Sequence, residues 1–557
     1  MPRLSNSSLF SSPSNEVGQY GGNPSSRGGI DTSSVKLSCL GPNGRAIYSL
    51  AIRNGAAYID THSLPLAGTI EEVSDVPSQP VVRTRLPEKV QTALNRYPPM
   101  ELVCVDVDSP QAHGENSHRN KIPLLCLYTK KDVFVLDLEY PSNTGAPEVE
   151  GVVIQVSEPM DEILLGTSTS CSIVRIRPAP QRRDGFSTMC PPACMAMLTH
   201  DSITNEYSLH VHHGSGSAVG TPLVYGMEQV EGDEGERITD FCFCQSNALG
   251  LLSSFCTAFL KGSGDVLVAT PILFGGTVVP RLVVTQTLEY LDFQLQQFST
   301  QSATWRQYKS AKQFVMDAFP DDGRSHYLTA QVRSEAFEWP VQMQGPVLIA
   351  ADSDDFETLA SALEPILAGD LVGLAIGHVG DMVDFGLLSP TTMIPRFKLE
   401  SEKDTMQLDE KLKWGTVVQR VDLGEEESEH QPVNACLALV RDPVMNTVVH
   451  YVTPTNIKSI STNAIKLCAS KVREQAGVAP GMFSPQSRLK EAEPRTTAWS
   501  CIDVSNTTGE RVSITGAVVS GDAHLGHVLV SRLSDGKFVF VSLEQIVMRY
   551  RLKDSLC

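Results

Sequence analysis

The chain has 557 residues, room for two to four ordinary domains or for one large repetitive domain with tails. Hydrophobic residues make up 41%, enough for a sizeable core, which excludes a chain disordered throughout. Lys plus Arg number 45 against 64 Asp plus Glu, and the resulting net charge of −19 repels phosphate backbones, so nucleic-acid binding is not expected as the main task.

No apolar run approaches the roughly 18 to 20 residues of a membrane span. The longest candidate, Leu273–Val284, contains Gly and Pro and is interrupted by Arg281. The N-terminus lacks the apolar core of a signal peptide, and Glu16 and Asp31 weaken a transit-peptide reading. The 13 cysteines are an odd number without a secretion signal, so reduced thiols of the cytosol or nucleus are expected.

In chain order, residues 1–34 are Ser, Gly, Asn and Pro with few large apolar residues, and a disordered tail is expected. From about residue 35 the signal becomes β. Ile47–Ile52 with Ala57–Asp60 is a weak hairpin, and Leu124–Thr129 with Val133–Leu138 is a clear one. The form recurs at Ile163–Thr167 with Cys171–Ile176, Met195–Thr199 with Tyr207–Val211, and Phe255–Leu260 with Asp265–Ala269. It returns at Leu371–Ile376 with Asp381–Leu388, Ala435–Val440 with Thr447–Val452, and Val528–Arg532 with Lys537–Leu543. Several strands carry consecutive apolar residues, so both of their faces are buried between layers. Repeated hairpins separated by variable loops predict an all-β chain: a degenerate, seven-bladed β-propeller over residues 35–470, which the strands of 496–557 help to close. A pair of β-sandwiches is the rival arrangement. No Trp-Asp dipeptide marks the blades.

Two segments break the pattern. Leu288, Leu291, Leu295 and Phe298, then Trp305, Tyr308, Lys312 and Val315, recur at steps of three and four and predict a helical insertion near 285–319, ended by Pro320. Residues 455–476 also read as helical and lead into a polar linker over 471–495.

The chemistry-bearing residues form no coherent set. His210 and His212 share a strand face at a spacing usable for zinc, but no third ligand is visible, and solvated imidazoles at a strand end are expected. Cys190 and Cys194 lack a matching second pair, and Cys242 and Cys244 suit two small buried side chains. Gly214–Gly216 and Gly262–Gly264 read as turns, because neither continues into a phosphate-binding pattern. Asp352, Asp354 and Asp355 fail the EF-hand offsets, and Glu425–Glu427 with Glu429 reads as a solvated loop. Arg175, Arg177, Arg182 and Arg183 are the one basic cluster, read as loop solubility or as contact with an acidic partner or RNA. The apolar face of the insertion either packs on its own domain or docks another chain. No catalytic residue, cofactor or metal is expected.

Four segments then carry a resemblance. Gln342–Ile349, with its Gln344-Gly345-Pro346, is similar to the Gln-Gly-Pro segment of the nucleoporin 88 family, which includes fungal nucleoporin 82. Phe255–Leu273 resembles that family's strand–turn–strand ending in a Pro-containing segment, here with Pro271, just before a helix. Asp370–Asp381 resembles its following blade, and Val448–Val452 with Ile457 resembles a His-containing strand. The segments also come in the family's order, over roughly residues 120–545. The resemblance implies the N-terminal propeller of a non-enzymatic scaffold at the cytoplasmic face of the nuclear pore complex. It implies partners among nucleoporins 98 and 214 and a role in nuclear export of protein and mRNA. The family's long C-terminal coiled coils have no heptad counterpart in residues 496–557. An adaptor propeller of a trafficking or ubiquitin assembly is the second reading. A propeller hydrolase or lyase with its site in the central channel is the third.

Overall fold

A computed structural model describes residues 38–40, 46–53, 56–63, 82–106, 123–137, 155–156, 170–179, 194–212, 223–226, 236–244, 251–321, 323, 325–331, 343–348, 359–368, 371–388, 390–395, 415–423, 436–445, 447–476, 498–503, 513–522, 526–534 and 538–543. Residues 1–34 of the expected tail and 477–495 of the expected linker lie outside this set.

The described strands form seven successive antiparallel meanders. Sheet 1 comprises Ser38–Leu40, Ala46–Arg53, Ala56–Ser63 and Val82–Arg85, and sheet 2 comprises Pro99–Asp106, Pro123–Thr129, Val133–Asp137 and Gln155–Val156. Sheet 3 holds Cys171–Pro178, Met195–Asp201, Glu206–His212 and Leu223–Gly226. Sheet 4 holds Ile238–Phe243, Thr257–Lys261, Val266–Ala269 and Met343–Leu348. Sheet 5 is Ala360–Ala368, Leu371–His378, Met382–Leu388 and Gly415–Asp422, and sheet 6 is Ala438–Arg441, Val448–Val452, Asn456–Ser461 and Ala498–Asp503. Sheet 7 has three described strands, Ile514–Asp522, Gly526–Leu533 and Phe538–Ser542.

The first strand of each sheet touches the first strand of the next, and the first strand of sheet 7 touches that of sheet 1. The sheets therefore stand radially around one axis. An apolar cluster fills every seam between neighbours, which is why a strand such as Leu371–His378 is buried along its whole length. Consecutive apolar residues in these strands serve two seams at once. The final seam packs Ile47 of sheet 1 against Val528 and Val530 of sheet 7, and Arg532 donates to the Leu50 carbonyl.

The hairpins pair largely as the sequence predicts, with one adjustment. Cys171–Pro178 pairs with Met195–Asp201, while Ile163–Thr167 lies outside the described residues. The helical reading of 455–476 is corrected in its first third. Asn456–Ser461 is the third strand of sheet 6 with Ile457 and Ile460 buried in the two adjoining seams, and the helix begins only at Asn463.

Helix α1 (Glu88–Arg96) bridges sheets 1 and 2 and buries Val90 and Leu94 in their seam. Between the third and fourth strands of sheet 4 the chain leaves the sheet as a helical hairpin, α2 (Arg281–Gln297) and α3 (Ala303–Ala318). A small ribbon of Val278–Pro280 with Tyr327–Thr329 forms its base. Helix α4 (Asn463–Ala476) follows the third strand of sheet 6. Gly345 sits at the return of the chain to sheet 4, at a pairing irregularity, with φ +144°. A Cβ there would lie 2.7 Å from Leu267 Cδ2 and 3.0 Å from the Val347 nitrogen, so the Gln-Gly-Pro segment needs its glycine for close approach.

Candidate functional site

The insertion is the largest departure from the repeating plan. Helix α3 starts at Ser302, whose Oγ accepts from the Trp305 amide at 3.1 Å. Helix α2 buries Val284, Thr287, Leu291 and Gln294 at steps of three and four, and α3 buries Tyr308, Ala311, Phe314, Val315 and Ala318. Beneath them Phe255, just before the second strand of sheet 4, meets Phe314 edge-on at 5.7 Å and stacks on Phe319 at 6.0 Å. Leu288, Leu295 and Phe298 pack against this cluster, and Phe298 stacks on Tyr308. Lys312 Nζ donates to Asp292 at 2.6 Å and ties the two helices together. The periodic apolar stripe is thus largely spent at home.

A different set of apolar side chains points outward. Leu282 is 66% exposed and Phe293 56% exposed on α2, Met316 is exposed on α3, and Tyr327 is exposed on the ribbon. Pro280, Arg281, Leu282, Thr285, His326 and Tyr327 line a shallow hollow of about 390 Å³ at the base of α2. Arg281 is held there by Asp321 at 2.7 Å. Exposed apolar side chains of this kind on a braced element are suited to docking rather than to chemistry. The sequence reading missed it because these residues fall off the stripe that defines the helices. Their one visible signal is a large apolar residue at a position the helical period assigns to solvent.

The basic cluster has another role. Arg175 and Arg177 lie on the first strand of sheet 3, facing carboxylates from sheets 2, 4 and 5. Arg177 Nη2 donates to Asp240 Oδ2 at 2.7 Å and to the Leu363 carbonyl at 2.9 Å, and its Nη1 reaches Glu364 at 3.5 Å. Arg175 Nε lies 3.4 Å from Asp240 Oδ1 and 3.6 Å from Glu101 Oε2. Asp240 also accepts from the Leu363 amide at 3.0 Å, and Tyr128 donates to Glu101 at 2.9 Å. Burial works against both guanidinium charges, but the surrounding carboxylates outweigh it and hold both pKa values above their ordinary range. The expectation that Arg175 and Arg177 serve solubility or a partner is therefore corrected: sheets 2, 4 and 5 neutralise them. Arg182 and Arg183 lie outside the described residues.

Histidines and acids meet inside the sheets. Asp442 Oδ2 lies 3.4 Å from His450 Nε2 and 2.7 Å from His527 Nε2, and His450 Nδ1 lies 2.7 Å from Ser459 Oγ. Asp442, His450 and Ser459 are fully buried, so this Ser–His–Asp chain cannot meet a substrate. It links sheet 6 to the second strand of sheet 7, and it explains why the strand Val448–Val452 carries a histidine. In sheet 5, Asp384 accepts from Arg420 at 2.7 and 2.8 Å and pairs with His378 at 3.1 Å. Burial alone would raise the Asp384 pKa, but the Arg420 and His378 hydrogen bonds outweigh it and bring it to about 2.

The remaining candidates are dispersed. His210 Nε2 lies 3.1 Å from Thr199 Oγ1, and burial lowers its pKa. His212 ends the same strand and is buried, not solvated as expected. Cys242 and Cys244 are buried free thiols, and Cys244 is within hydrogen-bond reach of the free thiol of Cys256. Gly262–Gly264 is a hairpin turn, with Gly264 at φ +92°. Among the described residues no group of three His, Cys, Asp or Glu side chains could hold a metal ion, and no helix is long and apolar enough to cross a membrane. Cys190, Gly214–Gly216, Asp352, Asp354, Asp355, Glu425–Glu427 and Glu429 lie outside the described residues.

The ring of radial sheets defines the class: the chain is a β-propeller. Its fold is similar to that of a chain in the heterotrimeric Nup82 NTD–Nup159 TAIL–Nup145N APD complex of Chaetomium thermophilum. The identity is 12%, over 92% of this chain and 95% of that one, with a TM-score of 0.62. It is also similar to a chain in the yeast heterotrimeric Nup82–Nup159–Nup116 nucleoporin complex, at 13% identity over 91% of this chain and 97% of that one, with a TM-score of 0.52. No family model matches the sequence, and no curated protein matches it.

Proposed function

We propose that this chain is a non-enzymatic scaffold of the nuclear pore complex, at its cytoplasmic face, which docks other nucleoporins and supports nuclear export of protein and mRNA. The observation that carries the reading is the likeness over more than nine-tenths of both chains to propellers from two nucleoporin heterotrimers. The insertion supports it, because its outward apolar residues lie on a braced element rather than on a loop. Its partners are nucleoporins of the kinds named 98 and 214, which the four resembling segments imply. The buried His–Asp groups give no support to a catalytic reading.

Reconstitution tests the proposal. The purified full chain is mixed at about 10 μM with those two nucleoporins from its own cell and passed over a sizing column with light scattering. A stoichiometric complex is expected. Separate elution of all components would contradict the reading.

A further inference from the structure

Two pairs of described cysteines bring their thiols within hydrogen-bond reach, Cys39 with Cys104 and Cys244 with Cys256. They differ in where they sit and in what can reach them. Cys244 follows the first strand of sheet 4 and Cys256 precedes the second, and they are 2% and 0% exposed. Cys39 and Cys104 belong to different sheets. Cys39 lies on the first strand of sheet 1, opposite Tyr48, and Cys104 on the first strand of sheet 2, opposite Leu125. Those two strands touch, and both cysteines pack against the apolar cluster of the seam between the sheets. Both are half-buried rather than sealed. Among the described residues no third ligand completes a metal site around the pair.

We infer that Cys39 and Cys104 are a site of reversible oxidation by hydrogen peroxide, which joins them as a disulfide and clasps sheets 1 and 2 together at the inner wall of the ring. Burial, the Cys104 thiol beside it and the Glu101 carboxylate push the Cys39 thiol up, so it stays protonated and the first step falls to Cys104. The Cys104 thiolate attacks one peroxide oxygen. An S–O bond forms, the O–O bond breaks, and the released hydroxide takes up the Cys104 proton as water. The Cys39 sulfur then attacks the sulfenic sulfur of Cys104. The S–S bond forms, the S–O bond breaks, and the departing hydroxide takes the Cys39 proton as a second water. The two thiols lose two electrons and the peroxide gains them. Cys126 adjoins the pair but is fully buried, and burial with Glu101 pushes its thiol up to about 12, so it does not compete.

Peroxide treatment of the full, folded chain tests this. The chain meets a small molar excess of hydrogen peroxide, its remaining thiols are alkylated in urea, and its disulfides are mapped by mass spectrometry. A linked pair of peptides carrying Cys39 and Cys104, two hydrogens lighter than its reduced parts, is expected. Cys244 and Cys256, sealed in the core, are recovered as alkylated thiols and serve as the internal control. The new loop restrains the unfolded chain, so the unfolding equilibrium in urea shifts at least tenfold toward the folded state, and a thiol reductant reverses the shift. Cys39→Ser and Cys104→Ser, each compared with its own untreated form, show neither the linked peptides nor the reductant-sensitive shift. Reduced Cys39 and Cys104 after treatment of the unmodified chain, or pairing of either with Cys126, would overturn the inference. Linked peptides without a reductant-sensitive gain in stability would overturn it too, because the thiols would then have met only in opened chains.

Discussion

Asp240 is the residue on which the axial network depends. Its carboxylate has no exposure and answers two arginines and the Leu363 amide, so it joins sheets 3, 4 and 5. Replacing it leaves two guanidinium groups half-buried and under-compensated, a situation that typically costs about 3–5 kcal/mol. Asp240→Ala is therefore expected to lose stability of that order in urea unfolding, and Asp240→Asn less. Asp384 gives a pH-dependent counterpart. Its folded pKa, about 2, lies below the ordinary 3.8, so its contribution is fully present above about pH 4 and is lost as pH falls through 2. The contribution at neutral pH is about 2 kcal/mol. Asp384→Asn is expected to flatten the acid limb of the stability curve between pH 4 and 2, measured by denaturant titration at each pH. Neither role is legible in the sequence. Arg177 meets Asp240 across 63 residues and Glu364 across 187, and only the closing of the ring brings them together.

At the scale of elements, strands that alternate or run apolar were readable because each fills one or two seams. Fourth strands such as Val82–Arg85 were not, since an outer edge needs little apolar surface. The first strand Ala360–Ala368 was missed because Glu364 and Pro365 interrupt its apolar run, although Leu363 and Ile366 are buried. The helical insertion was legible from its period, yet the period marks the face that packs inward. The proposed docking surface comprises residues left outside it. The paired variant Leu282→Ser/Phe293→Ser is expected to change folding stability by no more than about 0.5 kcal/mol per site. It is expected to weaken binding of a nucleoporin partner at least tenfold, read by isothermal calorimetry. Unchanged affinity in the folded variant would place the docking surface elsewhere on the rim.

For the whole molecule, closure is the feature on which the other contacts depend. Sheet 7 is held to sheet 6 through Asp442 and His527, and to sheet 1 through Ile47, Val528, Val530 and Arg532. Asp442→Ala leaves His450 and His527 buried without their acceptor. It is expected to speed amide exchange in Gly526–Leu533 before the far side of the ring responds, whereas uniform acceleration would mean that the ring opens as one unit. The propeller itself was legible from the recurrence of hairpins. The four resembling segments and their order are the features of the sequence that suggest a nucleoporin. The proposed docking surface was not legible, because the apolar period marks only what the core takes up.

Affinity capture of the tagged full chain from its own cells, with quantitative mass spectrometry, tests the central claim most directly. The scaffold reading predicts stoichiometric recovery of nucleoporins, those resembling nucleoporins 98 and 214 above all. Stoichiometric recovery of a trafficking or ubiquitin assembly without nucleoporins would contradict it.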